Sequence, residues 1–286
     1  MATEHEIDEI LDRVVARVSK IEGVRAIVLG GSRARGTADE RSDIDLGIYY
    51  DGKHPFAIPA LGAAAKELDD RHTDGLVTSF GEWGPAVNGG GWLEMRGNHV
   101  DFLYREIGAV RDAIEDCVAG RLRSIYQIGH PLGFHIQIYA GEVHVCRPLY
   151  DSAGTVAELK TLVSEYPEKL RIAAVTKHLF DAEFEISIAA KPAARADVMY
   201  VAGCLFRGAG HMTIVLYALN RRFFLNEKGA FAESRGFAIK PARFHDTVAS
   251  VLGRVGATPA DLSKSVVSFQ SLAAELRGLV TSERGG

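Results

Sequence analysis

Two hydrophobic periods alternate along this chain. Ile7, Ile10, Leu11, Val14, Val15 and Val18 recur at three- and four-residue spacing, which predicts an amphipathic helix over about residues 4–20, ended by Gly23. Val24 to Leu29 is a short apolar run rich in β-branched residues and closed by Gly30-Gly31, the pattern of a buried strand. A turn segment bearing glycine and arginine runs to Ser42, Ile44 to Tyr50 reads as a second strand, and about residues 57–70 read as a helix. From Leu76 to Arg105 the pattern breaks into short β-like pieces around Gly81, Gly84-Pro85 and Gly89-Gly90-Gly91, with strands expected near Val77, Trp92 and Val100. Ile107 to Val118 is again helical in pattern, whereas Gly129 to Asp151 suits a hairpin or a helix.

Beyond Asp151 the period is helical throughout, predicting helices at about 155–165, 167–189, 194–223, 241–253 and 259–280. Pro167, Pro192, Pro241 and Pro259 each fall near a predicted start, where the missing N–H costs least. Strands first and helices afterwards predict an α+β fold: an N-terminal mixed-sheet domain over residues 1–150, then a helical bundle over residues 151–286.

A chain of 286 residues suits two domains, and 47% apolar with 24% charged residues is globular composition. The net charge of −4 supplies no general attraction for a polyanion, so nucleic acid is a disfavoured partner and a small-molecule acceptor is preferred. Cys117, Cys146 and Cys204 are odd in number and lack CxxC spacing, which predicts reduced, buried thiols. The acidic start Met1-Ala2-Thr3-Glu4-His5-Glu6 is unlike a signal peptide, and the apolar run from Val198 to Leu219 is interrupted by Arg207 and His211. A cytoplasmic protein is the resulting expectation.

The chemistry is concentrated in Gly30-Gly31-Ser32-Arg33-Ala34-Arg35-Gly36-Thr37 and Arg41-Ser42-Asp43-Ile44-Asp45-Leu46. In a strand, residues two apart share a face, so Asp43 and Asp45 project together while Ile44 enters the core. Two carboxylates about 4 Å apart repel by roughly 4 kcal/mol at an effective dielectric near 20, so the pair calls for a cation or a proton. Magnesium, or manganese, suits an open carboxylate pair that leaves room for water and phosphates. Asp101, within Asn98-His99-Val100-Asp101-Phe102-Leu103-Tyr104, is a third candidate, and three carboxylates on adjacent strands would hold two metals. Gly30 and Gly31 would let backbone N–H groups approach phosphate oxygens, with the Ser32 hydroxyl beside them. The segment is not a Walker A loop, because Thr37 follows Gly36 without the lysine. Arg33, Arg35 and Arg41 are candidate phosphate clamps.

An apolar strand, Gly-Gly-Ser, ten intervening residues and Asp-Ile-Asp resemble the signature of the DNA-polymerase-β-like nucleotidyltransferases, over roughly residues 20–105. The size and helical second half look like small bacterial members such as aminoglycoside and lincosamide nucleotidyltransferases. The resemblance implies metal binding by Asp43, Asp45 and Asp101, and triphosphate binding by Gly31 and Ser32. It also implies transfer of a nucleoside monophosphate to an acceptor hydroxyl, with ATP as the expected donor. The segment Asn226-Glu227-Lys228-Gly229 looks like the part of such helical domains that returns to the phosphates, which names Lys228. Glu142, in Tyr139-Ala140-Gly141-Glu142-Val143, is the candidate general base.

Alternatives in the same superfamily are nucleotidylation of a protein or tRNA end, and a degenerate nucleotide-binding protein. A cationic acceptor would be met by an acidic pocket drawing on Glu142, Asp181, Glu183 and Glu185, the helical spacing of Asp181 and Glu185 placing them on one face. Isolated histidines such as His130, His135 and His144 lack ligand spacing and read as structural, and Trp83, Trp92 and Tyr104 read as core or pocket wall.

Overall fold

The structure, a computed structural model, describes residues 4–285; residues 1–3, which open the acidic N-terminal stretch, lie outside the described residues. The chain divides into two compact units, residues 1–116 with 123–165, and residues 117–122 with 166–286. The division falls after Glu165, where the sequence pattern places it near residue 150. The difference arises because Arg147–Asp151 is a sheet strand and the helix after it packs back against that strand.

In the first unit the elements are α1 (Glu4–Val18), β1 (Val24–Leu29), α2 (Gly31–Ala34), β2 (Ile44–Tyr50), α3 (Ile58–Leu68), β3 (Gly90–Met95) and β4 (Asn98–Glu106). They continue with α4 (Ile107–Val118, whose last two residues fall in the second unit), β5 (Ser124–Ile125), β6 (Phe134–His135), α5 (Gln137–Val145), β7 (Arg147–Asp151) and α6 (Thr155–Leu162). The main sheet has the order β3-β4-β2-β1-β7, with β2 and β4 parallel and the other neighbours antiparallel. The undecided stretch 129–151 contains β6, which pairs antiparallel with β5 just before the stretch, and the helix α5, and it ends in the edge strand β7. Val77 makes an isolated bridge to Gly91 instead of a strand.

Strand alternation gives this sheet two distinct faces. Ile44, Leu46 and Ile48 from β2 and Val100, Phe102 and Tyr104 from β4 are fully buried in one core with Ile10, Leu11 and Val14 of α1 and Leu61 of α3. The intervening residues, Asp45, Gly47 and Tyr49 beside Asp101, Leu103 and Arg105, form the opposite face. Asp69 fixes the end of α3 to β3. Its buried carboxylate accepts the backbone N–H of Glu94 at 2.7 Å and of Arg71 at 2.9 Å, together with the Arg71 guanidinium. The Arg71 bonds outweigh burial and hold the Asp69 carboxyl at about 2.

The second unit contains α7 (Glu168–Ile188), α8 (Ala190–Ala193), α9 (Val198–Leu219), α10 (Ala230–Glu233), a 3₁₀ turn at Ser234–Gly236, α11 (Phe244–Gly253) and α12 (Pro259–Gly285). Helices α7, α9 and α12 pack on one another, giving the α+β-then-helical architecture expected from the pattern. The helix expected at 194–223 is shorter, because Asp197 caps α9 by accepting the Tyr200 N–H at 3.2 Å. With 22 residues and a mean hydropathy of 1.3 in its most apolar window, α9 is long and apolar enough to cross a membrane. Its Leu205, Met212, Val215 and Leu216 are nevertheless fully buried, so it serves as a core helix.

Candidate active site

Parallel pairing of β2 with β4 places Asp45 directly beside Asp101, flanked by the buried pairs Ile44 with Val100 and Leu46 with Phe102. Both carboxylates therefore leave the same face from adjacent strands, whose backbones are about 4.8 Å apart. Both residues are half-buried. Asp43 is half-buried immediately before β2, in a loop held by Arg33, whose Nε donates to the Asp43 carbonyl at 3.2 Å and whose Nη2 donates to the Ser42 carbonyl at 2.6 Å. Arg33 thus fixes the approach to the carboxylates, which differs from the phosphate clamp considered from sequence.

Gly31 supplies the floor beneath Asp45. Its N-terminal neighbour Gly30 donates to the Asp45 carbonyl at 2.8 Å, and Gly31 has a φ of +59°. A β-carbon at Gly31 would collide with Asp45 Oδ2. The sequence suggests glycine here so that phosphate can approach; the structure adds that the Asp45 carboxylate occupies the space a side chain would need. Gly31 and the half-buried Ser32 lie at the surface beside that carboxylate. Asp45 and Asp101, side by side on an accessible face with a glycine clearing the space for one of them, are oxygen donors of the kind a hard divalent cation takes.

Glu142 has a different task from the general base expected of it. It sits on α5 and binds Arg105 through two parallel bonds, Arg105 Nε to Oε2 at 2.8 Å and Nη2 to Oε1 at 2.8 Å. Burial alone would disfavour the charge on Arg105, yet Glu142 more than offsets it and raises Arg105 above its ordinary value. Arg105 lies four residues along β4 from Asp101, roughly 13 Å at strand rise. Glu142 therefore neutralises a buried cation at the far end of the face.

Lys228 lies in an exposed turn of the second unit, before α10. The carboxylates considered for an acidic pocket are each paired within their own unit. Asp181 binds Lys177 at 2.7 Å, Glu185 binds Arg207 at 2.6 Å, and Glu183 pairs with Arg277. With Glu142 also paired, the case for a cationic acceptor loses its motivation. His135 and His144 make structural contacts, to Ser124 Oγ at 2.8 Å and the Val163 carbonyl at 2.7 Å.

Two groupings escaped the sequence reading. His178 and His211, buried on α7 and α9, bring their Nδ1 atoms to 3.0 Å, and Asp181 Oδ2 lies 3.9 Å from His178 Nδ1. Three such donors can hold a metal ion, but here Lys177 already binds Asp181, and burial lowers His211 to about 4. The second grouping is aromatic. Tyr104 is core, as expected, whereas Trp92 is 61% exposed and stacks on Trp83 with ring centroids 4.6 Å apart. Trp92 pairs directly with Asp101 across β3 and β4. The signal lay in the Arg96-Gly97 turn, both residues at positive φ, which joins β3 to β4 and sets that register.

Compared with known proteins, residues 7–115 match the nucleotidyltransferase domain family. No curated protein sequence matches the chain at a significant level. Among solved structures, the fold resembles that of a nucleotidyltransferase-like protein from Exiguobacterium sibiricum 255-15, with 6% identity and a TM-score of 0.47, covering 94% of this chain and 75% of that one.

Proposed function

We propose that this protein, whose residues 7–115 match the nucleotidyltransferase domain family, transfers a nucleoside monophosphate from a nucleoside triphosphate, ATP by expectation, to a hydroxyl of a small molecule. The observation that carries the proposal is the side-by-side placement of Asp45 and Asp101 with Gly31 beneath Asp45. Magnesium or manganese held by Asp43, Asp45 and Asp101 would neutralise the phosphates and make the acceptor hydroxyl easier to deprotonate.

The chain's own residues supply position and charge. Gly31 and Ser32 receive the triphosphate beside Asp45. The acceptor oxygen forms a bond to the α-phosphorus, the bond from that phosphorus to the oxygen bridging toward the β-phosphate breaks, and pyrophosphate leaves. The hydroxyl proton passes to Asp101, the carboxylate farther from Gly31. A net charge of −4 favours a small acceptor over a nucleic acid.

The test is incubation of the protein with magnesium, each labelled nucleoside triphosphate and a metabolite pool, followed by a search for monophosphate adducts. A magnesium-dependent adduct that disappears in Asp45→Asn supports the assignment. Adducts that persist in Asp45→Asn, or none with any of the triphosphates, would refute it.

A further inference from the structure

Trp83 and Trp92 are the chain's only tryptophans, and both lie at the candidate site. Trp92 shares the open face of the sheet with its strand partner Asp101, and Asp101 shares it with Asp45. The order across this face is therefore Gly31, Asp45, Asp101, Trp92. The pair is also built in. A β-carbon at Gly90 would strike the Phe102 carbonyl and then the Trp83 ring, so the glycine leaves room for both the neighbouring backbone and that indole. The Trp83 carbonyl accepts Gln127 Nε2 at 2.5 Å, and the Trp92 carbonyl accepts Arg71 Nη2 at 3.2 Å. Trp92, fixed through its backbone and stacked on one side, still has 61% of its surface exposed.

We propose that the Trp83–Trp92 stack is the acceptor platform, taking a ring-bearing hydroxyl compound whose apolar ring face lies on the indole while its hydroxyl reaches Asp101. The direction follows from the transfer chemistry. The attacking oxygen enters opposite the leaving pyrophosphate, so with the triphosphate over Gly31 and Ser32 the acceptor belongs on the far side of the carboxylates, where Trp92 stands. An indole face suits a sugar ring or a heterocycle and offers no matching surface to an acyclic polyol. This inference rests on the proposed function for its orientation, while the stacking surface itself stands on geometry alone.

With only two tryptophans, the emission of the full-length protein reports on this spot. Adenosine and methyl α-D-glucopyranoside are titrated separately, with sorbitol as the acyclic control, in magnesium and an ATP analogue that cannot be cleaved between the α- and β-phosphates. The expected result is saturable quenching by at least one ring compound and none by sorbitol. Trp92→Leu, which retains Trp83 as reporter, is expected to weaken ring binding about tenfold, the loss of one ring stack. Equal quenching by sorbitol, no quenching by either ring, a full effect from the analogue alone, or unchanged ring affinity in Trp92→Leu would each overturn the platform. Quenching by Mn²⁺ in the wild type and its loss in Asp45→Asn test the metal site separately. A failed platform with intact Mn²⁺ quenching is thus distinct from a failed active-site assignment.

Discussion

Replacing Gly31 with alanine separates two roles for the glycine, an approach for phosphate and a seat for the Asp45 carboxylate. An alanine held at a φ of +59° costs about 1 kcal/mol for the left-handed backbone. Its β-carbon would overlap Asp45 Oδ2, so the carboxylate must leave its rotamer at a further cost of roughly 1 kcal/mol. Urea denaturation should therefore show a loss of about 2 kcal/mol for Gly31→Ala. In the Asp45→Ala background the collision partner is gone, and the same substitution should cost only about 1 kcal/mol, the backbone component. The decisive assay is Mn²⁺ titration without nucleotide. A displaced Asp45 predicts at least about tenfold weaker metal binding. If Mn²⁺ affinity is unchanged and only nucleotide affinity falls, glycine serves the phosphates alone and the carboxylate-seat reasoning is refuted.

Asp43→Asn should abolish nucleotide transfer while leaving urea stability unchanged or raised by up to about 1 kcal/mol, since it relieves carboxylate repulsion, and Asp101→Asn should abolish transfer as well; retained transfer would remove that residue from the site. Glu142→Ala should lose about 3 kcal/mol by leaving the Arg105 cation buried and unpaired, whereas Glu142→Leu combined with Arg105→Met should recover most of it, and a single-variant loss below about 1 kcal/mol would contradict the buried-pair assignment. For Asp69, the folded carboxyl titrates at about 2 against an ordinary 3.8, so its stabilisation is present above pH 4 and disappears as pH falls toward 2. Because Arg71 is half-exposed, that contribution is about 1–2 kcal/mol after screening, and the urea-stability gap between wild type and Asp69→Asn should narrow from pH 5 to pH 2. A gap independent of pH would show that the Asp69 charge is not what stabilises the α3–β3 junction.

Local pattern was enough for most of the elements and for the candidate carboxylates. In α1 and α4 the buried residues recur at the helical period, while β1 and β2 are buried almost throughout, as their continuous apolar runs predict. Asp45 stands on its strand as the local pattern expects, while Asp43, expected on the same strand, precedes it in the loop, and Gly30-Gly31 was legible because a turn is a local feature. What the tertiary structure decided depends on register and on packing between distant segments. The placement of Asp101 beside Asp45 follows from β2–β4 pairing, and the exposure of Trp92 beside Asp101 follows from β3–β4 pairing. Glu142 met Arg105 across 37 residues, and His178 met His211 across 33, separations that no periodicity spans. Glu183 and Glu185 looked like a free acidic face in the sequence because their partners Arg277 and Arg207 belong to other helices, whereas the partner of Asp181, Lys177, lies one turn back on the same helix. A residue's type and spacing show which chemistry it can perform, but whether its charge is free or already neutralised depends on which neighbours the fold brings to it.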